Sequence, residues 1–201
     1  MGNDGKKIME DKIKNIFDNV DISELILLNV SQNSLGVSYL RSYNHLLAFF
    51  KEKVLDESSL IQGAFMIYGW MPKTLNICKF DVSIAFVLQS LKRLQDANNF
   101  DVKDLEVVKG FTNNSIVGAS KLIHFIYPDQ FPIWDSKICS KLFEGNVHYQ
   151  VEKIENYLLY LKSIRKFKSH TACVGFTKEF KKTHYEITSI RAAELMIFLS
   201  C

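Results

Sequence analysis

The sequence predicts an all-α protein, and three observations carry that prediction. Turn-forming residues are scarce: nine Gly and three Pro in 201 residues are too few to punctuate many short strands. Apolar residues recur at spacings of three and four through most of the chain, the pattern of helices that each bury one face. No two neighbouring segments pair as alternating strands would. Composition agrees with a globular protein. Hydrophobic residues make up 47% and charged residues 23%, and mean hydropathy is near zero, which excludes both a disordered chain and a long membrane-spanning run. This length supports one sizeable core, or two small lobes sharing one, so a single helical domain over residues 1–201 is expected.

Each element follows from local pattern. Ile8 to Val20 places Ile8, Met9, Ile13, Ile16 and Phe17 on one face, and Asp21 to Val30 is a short segment rich in Leu and Ile. Val37 to Leu55 carries Tyr39, Leu40, Tyr43, Leu46, Leu47, Phe50 and Val54 at helical spacing. Asp56 and the Ser58–Ser59 pair are candidate caps for a helix from Ser58 to Met71 that Pro72 ends. Phe80 to Ala97 groups Ile84, Val87, Leu88, Leu91 and Leu94, and Asn98–Asn99 stops it. A short helix from Asp101 to Gly110, a turn over Phe111 to Asn114, and a Ser115-capped helix from Ile116 to about Tyr127 make a helix–turn–helix hairpin. Pro128 and Pro132 bracket an irregular segment, after which Asp135 or Ser136 caps a helix to Phe143 that Gly145 closes. Helices over Tyr149 to Lys168, Thr171 to Lys182 and Thr188 to Leu199 complete a series of about nine to eleven.

Several chemistries are set aside by motif. Cys78, Cys139, Cys173 and Cys201 are scattered singly, without the spacing of a zinc site, an iron–sulfur cluster or a disulfide framework. There is no Gly-rich phosphate loop, no G-x-S-x-G elbow and no H-E-x-x-H helix. Met1 to Lys7 is polar and charged, with no apolar segment and cleavage site behind it, so a cytoplasmic protein is expected. Net charge is only +3, but between Lys162 and Lys182 the basic residues Lys162, Arg165, Lys166, Lys168, Lys178, Lys181 and Lys182 face Glu179 alone. Such a strip reads either as a solvated helix face or as a row of phosphate contacts.

The richest region is Gly118-Ala119-Ser120-Lys121-Leu122-Ile123-His124-Phe125, followed by Phe131-Pro132-Ile133-Trp134-Asp135-Ser136-Lys137-Ile138. A lysine lies in the first turns of one helix, and an aspartate opens the next, where the helix dipole favours its carboxylate. Apolar residues surround both, and a desolvated amine is more easily kept neutral and nucleophilic. Taken alone, Lys121 also fits a surface lysine at a helix start, and Asp135 also fits a plain N-cap.

The hairpin, the lysine, the proline and the capping aspartate together resemble the catalytic core of helix-hairpin-helix DNA glycosylases, nearest the 8-oxoguanine type. The family pattern runs Gly-hydrophobic-Gly-x-Lys-x-Ala, then Pro-Val-Asp-x-His-Val. The matching stretches here are Val117 to Ile123 and Pro132 to Ile138, within a core of about residues 101–145. The chain departs from the pattern by a lone Gly118 between Val117 and Ala119, by the additional Trp134 before the aspartate, and by a shorter Lys-to-Asp interval.

The resemblance implies a two-lobed helical fold and a base-excising enzyme that serves repair or defence against phage DNA with modified bases. It would work on DNA as a monomer, without cofactor, metal or membrane. Lys121 would attack C1′ of the sugar, and Asp135 would stabilise the oxocarbenium charge or deprotonate the nucleophile. In a monofunctional variant of that chemistry the aspartate positions a water. A flipped base needs aromatic walls, for which Trp70, Phe131 and Trp134 are candidates, with His124 able to hydrogen-bond substrate. Each of these also fits core packing. The helix start around Gly118 and Ser120, with Lys109, Lys137, Lys141, Arg165, Lys166 and Lys168, supplies candidate DNA-backbone contacts. The rival reading is a non-catalytic helical module that binds nucleic acid or protein through the basic strip.

Overall fold

The computed structural model describes residues 3–31, 34–71, 73–77, 82–96 and 98–201, with the side chains at 3, 28–31, 34–37 and 40 outside the description. Pro72, Cys78 and the expected helix start at Phe80 lie outside the described residues. Among the described residues there are twelve helices and no strand. They run α1 (Asn3–Asn19), α2 (Ile22–Ser31), α3 (Ser34–Glu52), α4 (Glu57–Trp70), α5 (Ile84–Leu94), α6 (Val102–Phe111), α7 (Ile116–Ile126), α8 (Ser136–Leu142), α9 (Val147–Val151), α10 (Ile154–Phe167), α11 (Thr171–Thr183) and α12 (Ser189–Leu199). No helix among the described residues is long and apolar enough to cross a membrane.

The helix starts are set by side chains that satisfy otherwise orphaned amides. Asp56 and Ser59 do so reciprocally at α4: the Asp56 carboxylate accepts from Ser59 N–H at 2.8 Å, and Ser59 Oγ accepts from Asp56 N–H at 3.0 Å. That first bond holds the Asp56 carboxyl below its ordinary value. Asp101, Ser115, Asp135, Asn146 and Thr188 cap α6, α7, α8, α9 and α12 in the same way. The helix expected from Tyr149 to Lys168 is instead two, and the count is twelve rather than nine to eleven. Asn146 starts α9 early, Glu152 and Lys153 leave the helical path, and α10 begins afresh at Ile154.

The chain forms two compact units. One joins both ends, Met1–Ser38 and Pro132–Cys201; the other is Tyr39–Phe131, with α3 crossing from the first into the second. At the centre of the first, α12 buries Ile190 to Ile197 on every side and packs against α1, α2, α8, α10 and α11. A helix apolar on all sides is stable only when enclosed in this way. Its two charged residues, Arg191 and Glu194, are buried as an i, i+3 ion pair. Against α10, α1 presents Met9, Ile13 and Phe17, four residues apart.

In the second unit, α5 and α6 pack through Val87, Leu91 and Leu94 and through Leu105, Val108 and Phe111. The α6–α7 turn reverses the chain at Asn113 and Asn114, both at positive φ (58° and 55°), where asparagine is tolerated better than most residues. Asn113 also ties the turn to the segment after α4: its Oδ1 accepts from Asn76 N–H at 2.9 Å, and its Nδ2 donates to Thr74 O at 2.8 Å.

Candidate functional site

In the second unit, α7 carries most of the proposed chemistry. Ser115 caps it by accepting the Gly118 N–H. Gly118 is there for close approach: a Cβ would meet the Tyr68 hydroxyl at 2.5 Å and Thr112 Cβ at 3.1 Å, so α7 can lie against α4 only without a side chain here. Ser120 is fully buried and donates to Val117 O at 2.9 Å. Gly118 and Ser120 therefore face the interior, which corrects their expected role as an outward anchor for phosphate. Lys109 is half-buried near the end of α6.

Lys121 and Trp70, singled out separately in the sequence, are brought together. The Lys121 ammonium lies 5.5 Å from the centroid of the indole ring. Trp70 ends α4 and is half-buried. Its Nε1 donates to Tyr39 O at 3.3 Å, and Tyr39 and Phe125 meet it edge-on at 5.4 Å each. These contacts fix the orientation of the ring, and the cation occupies its face.

His124 and Phe131 are core residues. Both are fully buried, and Phe131 packs against Phe100 and Tyr127. The His124 ring is bonded at both nitrogens: Nδ1 to Phe131 O and Nε2 to the Tyr43 hydroxyl, each at 2.7 Å. Because a carbonyl only accepts, Nδ1 carries the proton, and in the neutral ring Nε2 accepts from Tyr43. His124 thus clamps the segment after α7 onto α3, and neither it nor Phe131 offers a face to a ligand. Tyr43 lies 81 residues from His124, and nothing local in the sequence announces the pair.

In the first unit, Asp135 is half-buried at the start of α8, with Oδ1 accepting from Ile138 N–H at 3.0 Å. Trp134, its predecessor, points the other way. It is fully buried, donates from Nε1 to Val151 O at 2.8 Å, and packs on Phe143, Tyr157 and Tyr160. The expected role of Trp134 as a pocket wall gives way to that of a core anchor, because an extended residue and its successor face opposite sides. Lys137 lies over the Phe198 ring at 4.3 Å, and Lys141 donates to Ser200 O at 2.7 Å, so both dress the chain's last helix.

The basic strip on α10 and α11 is partly neutralised. Lys166 pairs with Glu10 of α1, Lys181 with Glu186 and Lys182 with Glu179. Lys162, Lys168 and Lys178 are exposed, with no ion pair among the described residues, and Arg165 is half-buried. The Glu10 contact spans 156 residues and could not be read from local charge.

No group of three or more potential metal-ligating side chains is found among the described residues. A cleft of about 750 Å³ in the second unit is lined by Lys92, Arg93, Phe100, Asp101, Lys103 and Asp104. It includes none of the candidate catalytic, substrate-binding or DNA-binding residues. Two of its acidic groups have structural partners: Asp104 accepts from Arg93 through Oδ1, and Asp101 caps α6. The chain matches no family model, no curated protein and no solved structure.

Proposed function

We propose that the chain is a DNA N-glycosylase, with Lys121 as nucleophile and Asp135 as the carboxylate that stabilises the charged sugar. The observation that supports this reading best is the half-buried Lys121 amine against the Trp70 face, a nucleophile and an aromatic wall supplied by one unit. In the reaction, the amine nitrogen bonds to C1′ as the glycosidic C–N bond breaks, its electron pair leaving on the base. Loss of the amine's proton and opening of the sugar ring then give an imine. The ring face favours the ammonium by about 0.5–1 kcal/mol, so the amine forfeits a small contact when it loses its proton to attack. Asp135 has one oxygen on the Ile138 amide and a second available to a developing positive charge. The biological setting, repair or defence against phage DNA carrying modified bases, belongs to the same proposal.

The rival reading, a binding module built on the basic strip, is weakened by the pairing of three of its lysines. The deciding experiment is excision on a panel of modified duplexes with borohydride trapping. The intact chain should excise a base and form a covalent adduct that Lys121→Gln abolishes. Asp135→Asn should lose on the order of a hundredfold in rate while remaining folded, because asparagine caps a helix as well as aspartate does. Excision without any adduct would make the enzyme monofunctional; full activity of Asp135→Asn would remove that residue from the chemistry.

A further inference from the structure

In the second unit, the cleft of about 750 Å³ lies between the end of α5 and the start of α6, and neither Lys121 nor Trp70 lines it. Among its lining residues is a buried carboxylate that the chain pairs through one oxygen only. The Asp104 side chain is 4% exposed, and two N–H groups of Arg93, Nε at 2.9 Å and Nη2 at 2.7 Å, converge on its Oδ1. A guanidinium and a carboxylate commonly meet fork to fork, with one N–H on each oxygen. Here Nη2 also donates to Ser90 Oγ at 3.1 Å, and Asp104 Oδ2 has no hydrogen-bond partner among the described residues. A buried carboxylate oxygen without a donor is costly, and so asks for a donor from outside the chain.

The rest of the cleft defines what the bearer of that donor must also carry. Arg93 already neutralises Asp104, so the missing partner is a neutral N–H rather than a second cation. Phe100 is half-buried, packs on Phe131 at 5.8 Å and lines the cleft, which offers a flat ring a surface to lie against. Lys92 and Lys103 also line it, exposed and with no ion pair among the described residues, and each is a point charge suited to a phosphate. The cations Lys92, Arg93 and Lys103 are matched by Asp96, Asp101 and Asp104, so a single phosphate suits the cleft better than a polyphosphate.

We propose that this cleft binds a guanine nucleotide, with the base against Phe100, its N–H edge on Asp104 Oδ2 and its phosphate between Lys92 and Lys103. Guanine is favoured by its donors: N1–H and the 2-amino group lie side by side. Adenine instead sets its amino group beside a ring nitrogen that a carboxylate repels, and the N–H of uracil is flanked by two carbonyls. The site does not depend on the glycosylase reading. Free GMP and a 5′-phosphorylated dG at the end of a strand offer the same chemistry.

Isothermal titration calorimetry of the intact chain tests the proposal with GMP, IMP, UMP and a trinucleotide that begins with 5′-phosphorylated dG. GMP should bind at least about tenfold more tightly than IMP, which lacks only the 2-amino group, and UMP should bind more weakly still. Tighter binding of the trinucleotide than of GMP would identify a strand end as the occupant, and the reverse order the free nucleotide. Lys92→Gln combined with Lys103→Gln should weaken GMP several-fold and leave guanosine, which has no phosphate, unchanged. Asp104→Asn should abolish the preference for GMP over IMP, and the comparison of ligands on the parent protein stands even where that variant does not fold. GMP bound no better than IMP or UMP, or no binding of GMP at millimolar concentration, would overturn the proposal. Base excision, present or absent, bears on the glycosylase reading alone.

Discussion

The two tryptophans are expected to respond oppositely to truncation. Trp134→Ala removes a fully enclosed indole, the donor to Val151 O, and ring contacts to Phe143, Tyr157 and Tyr160. Deleting an aromatic from such a core costs about 3–5 kcal/mol, and at this chain length each kcal/mol is worth about 2–4 °C, so the melting temperature should fall by about 6–20 °C. Trp70 is half-buried and packs on Tyr39 and Phe125 in T-shaped contacts. Its truncation should cost about 1–3 kcal/mol and expose the Lys121 amine to water, with excision falling well beyond what partial unfolding explains. Differential scanning calorimetry and an excision assay on the same two variants make the comparison. A Trp134→Ala protein that melts within about 2 °C of the parent would refute the core assignment. Undiminished excision by Trp70→Ala would remove the indole from the site.

Two further outcomes follow from charge. In duplex DNA binding, charge reversal at Lys162 and Lys168, neither of which has an ion pair among the described residues, should flatten the dependence of log affinity on log salt by up to about 0.9 per lost phosphate contact. Reversal at Lys182, already paired with Glu179, should do less, and equal slopes for parent and double variant would mark the strip as a solvated face. His184 stacks on Phe180 at 4.4 Å, and burial holds its pKa below 6.5. The unfolded chain then binds the proton more readily than the folded one, so this group's contribution to stability is present above pH 6.5 and is lost as pH falls through that value. His184→Phe should remove that part of the acid sensitivity in denaturant melts, and an unchanged pH dependence would contradict it.

Helix type and helix starts were legible because they are local. Asp56, Ser115, Asp135 and Thr188 act on amides three residues away, and the spacing of Met9, Ile13 and Phe17 is one helix repeat whatever surrounds it. Lys121 and Asp135 were likewise picked out by a pattern along the chain, whereas the surroundings of each were not. Which way Trp134 turns depends on the extended backbone before α8 and on α10, some 25 residues on, which supplies the rings it packs against. His124 became a clamp because Tyr43 arrives from another helix, and Lys166 lost its independence to Glu10 at the far end of the chain. The joining of both termini into one unit and of residues 39–131 into another is of the same kind. Burial and charge pairing depend on residues distant in sequence, and a periodic pattern says which face of a helix is covered but not by what.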